Sequence, residues 1–133
     1  MKDFFTIFPN RLRGAGLPLE AQSSYSISET FGNRVDVHKS AHFLVRLAQD
    51  RSQYSIEFAS LSEPANWFDS NVVMKAVEVD TKAHGDNCAE LIETVVSNIR
   101  SIEFLFERFS TMRSILEKIE HDRASVLLKH KPQ

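Results

Sequence analysis

Arg34-Val35-Asp36-Val37-His38, Phe43-Leu44-Val45-Arg46-Leu47-Ala48 and Tyr54-Ser55-Ile56-Glu57-Phe58-Ala59 decide the fold. In each run an apolar residue recurs at every second position: Val35 and Val37, then Phe43, Val45 and Leu47, then Tyr54, Ile56 and Phe58. Side chains on a strand point alternately to its two faces, so this period predicts three strands that each bury one face. The separating segments, Lys39-Ser40 and Gln49-Asp50-Arg51-Ser52, are short and polar. Asp50 and Ser52 can bond their own backbone, which suits a tight reversal. Three strands joined in this way describe an antiparallel meander.

Working outward, Tyr25 and Ile27 alternate with serines up to Glu29 and extend the expected sheet to residues 25–60. Further upstream, Phe5 and Ile7 alternate with Phe4 and Thr6 as in a short strand. Pro9-Asn10, Gly14, Gly16 and Pro18 then punctuate the chain, so residues 1–24 read as largely irregular. Downstream, 61–66 is a loop. Residues 66–80 read as a short helix or a strand, with Asp69, Ser70 or Asn71 as cap and Val72, Val73, Ala76 and Val77 as apolar face.

The C-terminal third is helical. Asn87 and Glu90 have the spacing of a capping box. Leu91, Ile92, Val95, Ile99, Ile102, Phe106 and Phe109 recur at three- and four-residue steps. A break at Phe109-Ser110-Thr111 predicts two helices over 87–129, the second carrying Met112, Ile115, Leu116 and Ile119. Strands followed by helices, without βαβ alternation, give an α+β domain in which helices cover one face of an antiparallel sheet.

The 133 residues suit one domain spanning 1–133. Ten Phe against one Trp and two Tyr place most aromatic area in a side chain with nothing but apolar surface to offer, which favours a core. Cys88 is the single cysteine and cannot close an internal disulfide, so a reducing compartment is expected. No apolar run reaches the ~18 residues of a membrane span, and Met1 to Phe8 is too short for a signal peptide. The expected location is cytoplasmic.

Net charge is −2, too small to recruit nucleic acid globally. Its distribution is uneven. Trp67 to Glu93 holds six acidic residues against two lysines, whereas Thr94 to Gln133 holds seven basic against five acidic. The middle leans acidic and the tail basic.

Catalytic patterns are absent: no phosphate-binding glycine loop and no nucleophile elbow. His38 and His42, and likewise His84 and Cys88, are four apart, but a zinc site needs three or four convergent ligands. No metal, no cofactor and no catalytic residue is expected. Glu90 and Glu93 share a helix face, the ordinary arrangement of a solvated surface. Trp67, at the exit from the sheet, serves either as a core anchor, the commoner role, or as a partner-facing anchor.

Phe31-Gly32-Asn33 leads into the first valine strand, Phe43 to Leu47 runs into Asp50-Arg51, and Tyr54 to Phe58 is followed by a Ser/Glu/Pro loop and Trp67-Phe68. Helices follow, with Phe106 to Ser110 at their junction. Over about 40 residues this order resembles small bacterial immunity proteins of polymorphic toxin systems, including contact-dependent growth inhibition. Ser52 stands where those proteins often have Gly. The resemblance implies a non-enzymatic protein that neutralises a cognate toxin domain by binding it. Many such toxins are nucleases with basic clefts, so an acidic surface would steer the encounter. Glu78, Asp80, Asp86, Glu90 and Glu93, with Trp67, are the expected partner-binding residues. A stand-alone interaction domain is the alternative, and a small enzyme a more distant one.

Overall fold

The computed structural model describes residues 4–27, 33–51, 53–78 and 88–129. Five strands, β1 (Glu20–Ile27), β2 (Asn33–Lys39), β3 (Phe43–Asp50), β4 (Gln53–Ser60) and β5 (Phe68–Asp69), pair antiparallel in chain order. The expected meander is therefore present, with β1 starting five residues before Tyr25 and Phe68-Asp69 adding a short edge. Helices α1 (Phe4–Gly14), α2 (Ser70–Ala76), α3 (Cys88–Ser97), α4 (Ile99–Glu107) and α5 (Phe109–Lys129) complete the α+β fold.

The register fixes which side chains share a face. Val45 lies opposite Phe58, and Leu47 opposite Ile56. All four are fully buried, as are Phe43 and Phe68. Helical side chains close over this face: Phe43, Phe58 and Phe106 form a ring cluster with centroids 5.4–6.0 Å apart. Phe109 continues it, 6.0 Å from Phe106 and 6.3 Å from Phe68. Such aromatic pairs add about 0.5–1.5 kcal/mol each beyond simple burial.

The N-terminal segment differs from expectation. Residues 4–14 form a helix rather than a short strand, even with Pro9 inside it. An interior proline costs a helix about 3 kcal/mol. Burying Phe4, Phe8 and Leu12, spaced four apart and all fully buried, returns roughly 1.5–3 kcal/mol each. Burial wins. Gly16, at φ 89°, ends the helical turn in the left-handed region, and a Cβ there would lie 2.6 Å from the Arg100 guanidinium.

The C-terminal region holds three helices, not two. The additional break is at Asn98. Its side-chain amide donates to the Thr94 carbonyl at 2.8 Å, the acceptor an unbroken helix would reserve for the Asn98 N–H. That N–H donates to Val95 instead, at 3.1 Å. The second break is at Arg108, one residue before the expected segment. Residues 70–76 settle as a helix, capped by Asp69, whose carboxylate accepts from the Asn71 N–H at 2.9 Å.

Candidate functional site

Strand β2 is inverted relative to its hydrophobic pattern. Its register sets Asp36 opposite Leu47 and His38 opposite Val45, so the polar residues face the helices. Asp36 and His38 are buried, whereas Val35 and Val37 are only half-buried. Charge pairing under α1 accounts for the inversion. The Arg34 guanidinium donates twice to Asp36, both at 2.9 Å, and lies 4.4 Å from the Phe5 ring centroid. His38 sits beside this pair, and neither ring nitrogen meets a hydrogen-bond partner among the described residues. Burial lowers the pKa of His38; Asp36 opposes that shift, while Arg13 and Arg34 reinforce it.

The inversion has a consequence for the opposite face. Val35 and Val37 join Leu44 and Ala48 there, because Val35 lies opposite Ala48 and Lys39 opposite Leu44. These four half-buried aliphatic residues belong neither to the hydrophobic core nor to the side chains packed against it. Arg46 lies among them, opposite Val37 on one side and Glu57 on the other. It donates to Glu57 at 3.0 Å and its guanidinium stacks 4.3 Å from the Trp67 ring centroid. Trp67 is therefore not a core anchor. It lies on the face of the sheet opposite the helical layer, and its neighbour Phe68 fills the core position.

This face combines an aromatic plate, a cation–π stacked arginine, a carboxylate and a floor of short aliphatic side chains. Trp and Arg are the side chains that most often dominate binding energy in protein interfaces. Arg46 and Glu57 hold each other, and Arg46 holds Trp67, so the patch is ordered before any partner arrives.

Of the acidic residues expected to form the partner surface, the described ones, Glu78, Glu90 and Glu93, lie at the end of α2 and on α3. Asp80 and Asp86 lie outside the described residues, as do Asn87, His84 and Ser52. Glu78, at φ 62°, follows Val77, the C-cap of α2, and its N–H donates to the Lys75 carbonyl at 3.0 Å. Glu90 and Glu93 lie on α3, in the helical layer. Glu93 pairs with Arg11 of α1, one contact being 3.0 Å, and that hydrogen bond holds its carboxyl below the usual range. A carboxylate already neutralised within the fold has less charge left to steer a partner.

Burial raises the pKa of the Cys88 thiol at the start of α3, which disfavours the reactive thiolate. Among the described residues no three His, Cys, Asp or Glu side chains converge as metal ligands, and no helix is long and apolar enough to cross a membrane. The two halves of the resemblance motif are physically joined: the Asn33 side chain accepts from the Arg51 N–H at 2.9 Å. Arg51 itself takes the left-handed conformation in that turn, φ 60°.

No family model matches the chain, and neither a curated protein nor a solved structure is significantly similar to it.

Proposed function

We propose that this protein is a bacterial immunity protein that binds a cognate toxin domain through the face of its sheet opposite the helices and catalyses nothing. The observation that supports the binding role is the displacement of Val35 and Val37 away from the core onto the face that carries Trp67 and Arg46. A strand that buries Asp36 and His38 while keeping two valines outside the core has aliphatic side chains to spare for a partner. Aromatic and arginine side chains beside aliphatic ones left outside the core are the make-up of an interface centre. The toxin as partner rests on the resemblance of residues 31–68, whose order of features maps onto β2 to β5.

Co-expression with the toxin domain encoded beside it tests the role. Growth rescue and co-purification of a stable complex are expected. Killing that continues in the presence of folded protein would remove the immunity role. Co-purification with an unrelated protein in place of a toxin would favour a stand-alone interaction domain.

A further inference from the structure

The end of α2 and the α4–α5 junction flank an apolar groove. Ala76 and Val77 form one wall; Phe104, Leu105, Arg108 and Met112 form the other, around a volume of about 550 Å³. Sites for small ligands commonly fall at roughly 300–1,000 Å³, with mostly apolar walls and a few polar groups that set orientation. This groove has that make-up.

Two features point to its occupant. Phe104 is 53% exposed, whereas Phe106 and Phe109 on the same helices are buried. An exposed phenylalanine at the mouth extends the apolar wall outward. The second feature is charge. Arg100 is already committed, donating to Glu103 at 2.8 Å and to the Ala15 carbonyl at 2.7 Å. Arg108 stacks over Phe104, 4.1 Å from the ring centroid, with no carboxylate partner among the described residues. Stacking fixes the guanidinium plane and leaves its edge N–H groups for an anion. Among the described residues no acidic side chain lines the groove. Apolar walls with one oriented guanidinium at the rim complement a molecule with an apolar tail and a single carboxylate.

We propose that this groove binds a free, single-tailed carboxylate of the medium-chain fatty-acid class, its tail against Ala76, Val77, Leu105 and Met112 and its carboxylate on Arg108. The proposal is independent of the toxin reading. Titrating the full-length protein with octanoate, decanoate and dodecanoate below their micellar concentrations, followed by NMR of the Ala76, Val77 and Met112 methyl groups, tests it. Saturable one-to-one binding is expected, with affinity rising with chain length. Arg108→Glu should weaken decanoate about tenfold through loss of a charge-assisted contact. Phe104→Ser should weaken it too, and both positions are exposed enough for the fold to survive. Glu20→Gln, exposed at the start of β1, should leave decanoate affinity unchanged. Absence of saturable binding would overturn the proposal, as would equal affinity for decanol, insensitivity to Arg108→Glu, or binding to anionic lipid vesicles alone.

Discussion

His38 is the residue whose placement is least like that of its neighbours in sequence. A neutral imidazole has one N–H to donate and one lone pair to accept. Here both ring nitrogens are buried without a partner among the described residues. Protonation would add a charge between Arg13 and Arg34, relieved only by Asp36, and desolvation outweighs that relief. The folded pKa is therefore below the ordinary value of 6.5, and between the two values the unfolded chain binds more protons. Stability then rises with pH across that window. Urea denaturation should give a stability that is full above pH 6.5 and falls as pH drops below it. His38→Leu should flatten that slope relative to the native protein. A slope unchanged by the substitution would place its source in another group.

At the scale of elements, α2 shows how local chemistry sets short helices. Asp69 caps its first turn and also accepts from Arg123 of α5 at 3.3 Å. Replacing an N-cap aspartate by alanine costs about 0.5–2 kcal/mol, so Asp69→Ala should lower the denaturation midpoint accordingly. Glu78 at the other end has the opposite sign. A left-handed backbone costs a non-glycine residue roughly 1–2 kcal/mol, and glycine gives part of this back as unfolded-state entropy. Glu78→Gly should therefore stabilise the protein by about 0.5–1 kcal/mol. The same variant should leave partner binding unchanged, because Glu78 acts as a helix terminus and lies apart from the Trp67 face. A fall in affinity would restore it to the interface.

These elements also show what sequence can and cannot reveal. Strand β3 was legible because Phe43, Val45 and Leu47 are fully buried and the residues between them are not, and β4 keeps that alternation through Ile56 and Phe58 before Ala59 and Ser60 are buried as well. The Asp69 cap was legible because capping is local. Helix α1 was not, since Phe4, Phe5, Ile7 and Phe8 suit either period and Pro9 argues against a helix. Only packing resolves that. The phase of β2 was hidden for a related reason: Asp36 is buried as the partner of Arg34, and Arg34 in turn stacks on Phe5 of α1. For the site, Trp67 was visible as a candidate, but its stacking partner Arg46 is distant in the chain. The acidic residues were visible as a charge excess, and composition cannot show that Arg11 would neutralise Glu93.

Across the whole molecule, the sheet separates two chemistries. One face, with β3, β4 and the ring cluster of Phe43, Phe58 and Phe106, holds the protein together. Phe106→Ala should cost about 3–5 kcal/mol for that reason, measured by chemical denaturation. The other face carries Val35, Val37, Leu44, Ala48, Arg46 and Trp67 and contributes little to that core. Binding and stability are therefore expected to be separable by mutation. Affinity of the purified complex for Trp67→Ala, set beside that of the triple variant Glu78→Gln, Glu90→Gln and Glu93→Gln, tests this most directly. Trp67→Ala should weaken binding by about 2 kcal/mol or more, roughly thirtyfold, with the folded state retained and the acidic variant close to native. Native affinity in Trp67→Ala, with loss in the acidic variant, would contradict the account and move the interface to the helical layer.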